Sequence, residues 1–529
     1  MKINLEQIKK GIPEADRKNP SVILLLELLE QQAETILLLK EQIQELKDEI
    51  SRLKKHKPKP KIKPSKLTKK AGKNPSGKRA GSSKRKKTAG LIIHETKRIP
   101  PESIPAGSSF KGVKPYTVQG LKISTFNILY QLEQWETPDG KIISGKLPPE
   151  INGHFDPVLK SFILHQYYHC HVTQPLLLEQ LTEWDVDISA GQLNNIITEK
   201  NDLFHAEKKD ILSAGLKSST HINVDDTGAR HNGKNGYCTH IGNEFFAWFE
   251  STESKSRINF LKLLRAGNSD YVLNEDAFLY MSNQRLPKSP LSRLKNHCVK
   301  EFADTRQWDA HLQELGITKP RHVKIATEGA LFGSVLSHVP RSLVIVSDDA
   351  GQFNILNHAL CWIHAERILS KLVAPSDEKR QILENVRKQI WQFYEELKDY
   401  KQSPDQKTKV ELQNKFDEIF SQKTDYHFLN LALQRLHANK KELLLVLDRP
   451  EIPLHNNLSE NDIREYVKRR KVSGSTRSEA GRRCRDTFTS LKKTCRKLNI
   501  SFWQYLIDRI SNKNSIPYLP KIISQAGPG

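Results

Sequence analysis

Two strand-length apolar runs in the chain each end in a pair of aspartates. Ile222-Asn223-Val224 leads into Asp225-Asp226, and Leu343-Val344-Ile345-Val346-Ser347 leads into Asp348-Asp349. An unbroken Val/Ile run reads as a strand buried on both faces, which calls for an α/β architecture with helices covering the sheet. Carboxylates held together at the ends of buried strands are costly without cations. Far downstream, Glu460 follows a polar turn and opens a predicted helix. Two strand-end acids and a helix-borne glutamate form a donor set for Mg²⁺, which takes hard oxygen ligands. Two such ions roughly 3.5–4 Å apart can clamp the attacking and leaving oxygens of a phosphoryl transfer. One Asp pair after a strand usually makes a turn or caps a helix. Two such pairs together with Glu460 favour a site.

The elements around these acids have a recognisable order. His221–Asp225, Gly236–Ile241 and Glu244–Ser251 read as strands, the last two joined at Gly242-Asn243. A helix is expected at Ser256–Leu264, a mixed stretch over 266–340, a strand at Leu343–Asp348 and helices from about 353 to 448. Strand, hairpin, helix, strand and a final helix bearing an acid is the order of an RNase H-like α/β core. The core is expected over 216–360 and 456–515, with a helical insertion at 361–455 and a tail at 516–529.

Upstream lie a coil, a linker and a small helical region. Leu29, Ile36, Ile43 and Ile50 fall seven apart, with Leu25, Leu39, Leu46 and Leu53 in the partner position. Residues 20–53 thus read as a coiled coil that joins copies of the chain, within an N-terminal segment 1–53. Lys-Pro alternation followed by Gly, Ser and Lys makes 54–105 a basic disordered linker. Residues 106–215 begin mixed and become helical. Pro157–Tyr168, Gln174–Trp184 and a Ser189-capped helix at Ala190–Glu199 have the outline of a helix-turn-helix, and plain packing explains them equally well.

The net charge of +23 is concentrated in two blocks, Lys54–Thr88 and Arg464–Lys497; the remainder is slightly acidic. Such blocks are footprints for polyanions, and DNA is the expected partner. Within the second block, Ile463 and Val467 share a helical face with Glu460 and can anchor it. Arg464, Lys468, Arg469, Arg470, Lys471 and Arg477 surround a Ser-Gly turn and are the candidate phosphate contacts. The six cysteines include no Cys-x-x-Cys pair, which argues against a zinc ribbon. His358, Cys361 and His364 offer three metal ligands with no evident fourth. With no signal peptide or membrane span legible, a cytoplasmic protein is expected.

His455-Asn456-Asn457, Glu460, Ile463-Arg464, the Arg-Arg-Lys run and the Ser-Gly turn together resemble the C-terminal signature of bacterial DDE transposases of the insertion sequence 66 family. Cys361-Trp362-Ile363-His364 is similar to that family's Cys-Trp-x-His element, Asp225-Asp226-Thr227 to its first motif, and Pro175–Leu193 to its helical segment ahead of the core. The resemblance covers most of residues 20–510. It implies catalytic, metal-holding acids at Asp225, Asp348 and Glu460, with Asp226 and Asp349 as alternatives. It also implies two Mg²⁺ ions, for which Mn²⁺ can substitute, action on element ends and target DNA, and companion proteins from the same element. A cysteine-rich zinc element usual in the family is missing. The Asp225–Asp348 spacing is also long for the family, which implies an extra insertion around 266–340. A nuclease or resolvase on the same fold, and a DNA-binding protein that has lost catalysis, are the alternative readings.

Overall fold

The computed structural model describes residues 91–527 and six helical positions between 21 and 42. The heptads of 20–53 lie outside the described residues except at those positions, as does the linker over 54–90. The chain divides into residues 1–127 and 128–529. In the first unit, residues 91–127 form no helix or strand.

The second unit is built on a five-stranded mixed sheet. Its strands are β1 (His221–Gly228), β2 (Tyr237–Gly242), β3 (Ala247–Thr252), β4 (Val344–Ser347) and β5 (Asn357–Leu360). They lie in the order β3-β2-β1-β4-β5. The first three are antiparallel, whereas β1, β4 and β5 run parallel. Alternate residues of β4 explain its unbroken apolar run. Leu343 and Ile345 enter one core with Ile222 and Val224, while Val344 and Val346 enter a second core with Trp362, Leu369 and Phe393.

Helices α1 (Pro157–Leu164), α2 (Gln174–Glu183), α3 (Ala190–Thr198) and α4 (Asp202–Ser218) precede the sheet. Ser189 caps α3 reciprocally with Gln192. Between β3 and β4 lie α5 (Arg257–Leu264), α6 (Glu275–Asn283), α7 (Lys288–Asn296), α8 (Thr305–Glu314) and α9 (Pro320–His338). The stretch 266–340, illegible in sequence, is thus mostly helical, with one short pairing of Tyr271–Val272 to Glu301–Phe302.

After β5 come α10 (Trp362–Ser370), α11 (Asp377–Gln402), α12 (Gln406–Ser421), α13 (His427–Ala438) and the one-turn α14 (Lys440–Leu443). The chain then returns through α15 (Asn457–Ser473), α16 (Glu479–Lys497), α17 (Phe502–Ile510) and α18 (Leu519–Ala526). Two expectations change here. Asn357–Leu360 is a strand where a helix was expected from about 353, because its pairing with β4 outweighs local sequence that lacks β-branched residues. The expected tail contains α18, which buries Leu519, Pro520 and Ile523.

Helix α16 covers the outer edge of the sheet. The β3 amides of Ala247, Phe249 and Ser251 donate to Thr494 Oγ1 (3.1 Å), Ser490 Oγ (2.9 Å) and Asp486 Oδ2 (2.8 Å). Four residues of helix advance about 6 Å and two of strand about 6.8 Å, so the two spacings keep step. An edge that could recruit a foreign strand is thereby satisfied internally.

Candidate active site

Asp225 lies in β1 and Asp348 directly follows β4, its parallel neighbour. Their paired register ends with Asn223 beside Val346, two residues short of each acid, and the charge of Asp348 acts on Asp225. Glu460 lies in the first turn of α15, where the positive end of the helix dipole favours an acid. Ile463 and Tyr466 of α15 pack on Cys238, Ala247 and Phe249 of the antiparallel strands, with Val467 alongside.

Charged and polar groups fix the same helix. Buried His240 sets Nδ1 2.6 Å from Ser459 Oγ and Nε2 3.1 Å from Asp462 Oδ2, so it grips the residues flanking Glu460. Asp462 also pairs with Lys493 and Lys497, each at 2.8 Å. Burial would raise its pKa, but His240 and the two ammonium groups hold it well below the usual carboxylate range. Glu465 is likewise held low by His171 at 2.7 Å and Lys492 at 2.6 Å.

Asp225 responds to the other acids. Burial drives the Asp225 carboxyl up to about 7, and the charges of Asp348, Asp226 and Glu460 push the same way against the Asp226 amide that donates to it. Glu460 Oε1 is buried without a hydrogen bond. His364 Nε2 stands 3.4 Å and Arg367 Nη2 3.5 Å from it. A half-buried carboxyl that feels the charges of Asp348 and Glu460, the second of which has an oxygen without a donor, suits a hard divalent cation.

The alternative acids are engaged elsewhere. Asp226 accepts from Thr239 Oγ1 (2.5 Å) and Gln352 Nε2 (2.9 Å). Asp349 is exposed and accepts from Arg435 Nε (3.1 Å) and Nη2 (2.5 Å). His358, Cys361 and His364 do not form a ligand set: His358 Nε2 meets Ser347 Oγ at 2.7 Å, and Cys361 Sγ accepts the Asn456 amide at 3.1 Å. Among the described residues, the one triad whose ligand atoms all lie within 4.8 Å of one another is His297, His311 and Glu314. There the Val299 amide donates to His297 Nδ1 at 3.2 Å. That places the ring proton of neutral His297 on Nε2, the nitrogen 3.8 Å from Glu314, and disfavours a metal there.

The candidate phosphate contacts divide into two groups. Arg464, Lys468, Lys471 and Arg477 are exposed, and Arg470 is half-buried with Nη1 donating to Gly228 O. Arg469 departs from the expectation. It is 4 % exposed, donates to Tyr167 O at 2.8 Å and lies over the Tyr167 ring at 3.9 Å. Arg485 and Lys492 are also buried. Much of the second basic block therefore serves as internal counter-charge for Glu465, Asp462 and Asp486. Sequence reading passed over His240, Arg367 and Asn456. Arg367 follows the noted His364 within one helical turn, and Asn456 lies inside the noted His-Asn-Asn run.

Residues 333–483 match the family described as "Transposase IS66 family", a span that includes Asp348 and Glu460. The chain is also 45% identical over 303 residues to the uncharacterized protein y4jO of Sinorhizobium fredii, an alignment covering 57% of this chain and 94% of that relative. Among the described residues no helix is long and apolar enough to cross a membrane. The family match and a relative covered almost end to end at this identity agree with the motifs gathered around the sheet, and the chain belongs to the IS66 family of transposases.

Proposed function

We propose that the chain is a DNA transposase that cuts element ends and joins the freed 3′-hydroxyls to target DNA on an RNase H-like core. The observation that carries this reading is topological: Asp225 lies in β1, Asp348 directly follows the neighbouring parallel strand β4, and Glu460 opens α15, whose preceding Asn456 bonds Asn223 and Val224 of β1. The strand order, with three antiparallel strands followed by two parallel ones, supports the RNase H-like assignment.

Asp225, Asp348 and Glu460 are the proposed catalytic and metal-holding residues. Two Mg²⁺ ions, or Mn²⁺ in their place, would make the attacking oxygen more nucleophilic and neutralise the leaving oxygen. Asp225 must give up its proton before it can ligate. Arg464, Lys468, Lys471 and Arg477 lie on or just beyond α15 and would position the DNA backbone. Arg470 contributes through the part of its guanidinium left free by Gly228. A second copy, joined through the heptads of 20–53, and companion proteins of the element complete the proposed assembly.

The test is divalent-dependent end cleavage and strand transfer by the purified chain. Glu460→Gln should abolish both, and activity like that of the unmodified chain would overturn the reading. Cutting without joining would instead identify a nuclease or resolvase. DNA binding that survives removal of all three acids, in a chain with no cleavage, would identify a binding protein.

A further inference from the structure

We infer that Asn456 is a positioning residue that sets Glu460 against Asp225; the inference rests on the proposed three-acid site. Asn456 is 0 % exposed, and each of its four polar groups is engaged by a different residue. Its amide N–H donates to Cys361 Sγ at 3.1 Å, and its Nδ2 donates to Val224 O at 2.7 Å. Its Oδ1 accepts from Asn223 Nδ2 at 2.9 Å, and its backbone carbonyl accepts from the Glu460 amide at 3.2 Å. Val224 immediately precedes Asp225. One side chain therefore ties the backbone that delivers the first acid to the helical turn that delivers the third.

The same residue closes the helical segment that leaves and re-enters beside the site. Cys361 is the last residue before α10 and Asn456 the last before α15. Their bond lies beside a backbone bond from Trp362 N to Leu454 O at 3.0 Å. A two-bond clasp thus ties the start of α10 to the start of α15, beside the direct contacts that His364 and Arg367 of α10 make with Glu460.

No other side chain of this size meets these demands. Val224 O can only accept, so a donor must face it, and Asn223 Nδ2 requires an acceptor. Aspartate would set a buried negative charge against the Val224 carbonyl, and alanine would leave both partners buried and unpaired. Misplacement of a reacting group by about 1 Å can cost about a hundredfold in rate. The expected loss is therefore out of proportion to the number of bonds removed.

The experiment uses the full chain and Mn²⁺ as the calorimetric probe, alongside melting temperature, DNA-end affinity and single-turnover end cleavage. Asn456→Ala should weaken Mn²⁺ about tenfold or more and slow cleavage about a hundredfold, with DNA-end affinity unchanged and cleavage partly restored by excess Mn²⁺. Asn223→Ala removes one of the bonds from outside α15, and should give a smaller loss of the same kind. It carries the test alone if Asn456→Ala does not fold. Wild-type Mn²⁺ affinity in the folded variants, with cleavage falling only as the melting temperature falls, would overturn the inference. Glu460→Gln separates the two levels. If it retains Mn²⁺ binding and cleavage, the three-acid site fails and this inference with it. If it loses both while Asn456→Ala and Asn223→Ala bind Mn²⁺ normally, this inference alone fails.

Discussion

Arg367 and Glu460 face each other across the candidate site, with the guanidinium Nη2 3.5 Å from Oε1. His364 Nε2 lies 3.4 Å from the same oxygen and 3.0 Å from Arg367 Nη1. Burial, and then the charge of Arg367, lower the His364 pKa, so the imidazole is neutral at pH 7 and Arg367 is the cation that Glu460 sees.

A divalent ion must compete with that guanidinium. Arg367 is 44 % exposed at its side chain, so solvent screens much of the attraction. Arg367→Ala should tighten Mg²⁺ binding by a few-fold in low salt and by less at high ionic strength. Calorimetric titration without DNA reads this directly. Unchanged or weaker binding would show that the contact does not compete.

Asp225 gives the site a pH dependence. Its carboxyl sits at about 7, raised by burial and by neighbouring acids, so a ligating ion displaces a proton below that pH. Divalent affinity should rise by up to about tenfold per pH unit up to pH 7 and level off above it. Without divalent ions, the folded state holds this proton more tightly than the unfolded chain, where the carboxyl titrates near 3.9. Asp225 therefore contributes stability that is fully present below about pH 4 and lost as pH rises through 7. Asp225→Asn should flatten both profiles, and an affinity that does not change between pH 5.5 and 7 would contradict the assignment.

Adjacent aspartates after β4 should behave differently. Asp348 directly follows β4 and its charge acts on Asp225, whereas Asp349 is exposed and paired with Arg435 of α13. Asp348→Ala should remove end cleavage, and Asp349→Ala should leave it within about threefold, the modest cost of an exposed pair. Loss of cleavage from Asp349→Ala alone would exchange their roles.

Both apolar runs, the hairpin between them and the cap at Ser189 were legible because each carries its own periodicity or capping chemistry. The strand Asn357–Leu360 was not, since its four residues gain their structure from pairing with β4. The proposed acids stand out in sequence only as types at strand ends, and what sets Asp226 and Asp349 apart from them is partners elsewhere in the chain. Thr239 and Gln352 occupy Asp226, and Arg435 occupies Asp349. Charge counting misread Arg469 for the same reason. A basic run records how many cations a helix carries, and Tyr167, about three hundred residues upstream, determines which one turns inward.

That inward turn separates DNA binding from stability on α15. Lys468 is 66 % exposed at its side chain and Lys471 is also exposed, so each can release a counterion on meeting a phosphate. Lys468→Ala with Lys471→Ala should weaken DNA-end binding and reduce the slope of log affinity against log salt by about 1.8, from about 0.9 per contact. Arg469→Ala should leave that slope unchanged. It removes the bond to Tyr167 O and the ring contact at 3.9 Å, and should cost about 1–3 kcal/mol of folding stability. Binding isotherms over a salt series, paired with denaturant melts, separate the two effects. A flattened slope in Arg469→Ala at full stability would place that guanidinium on the DNA and out of the core.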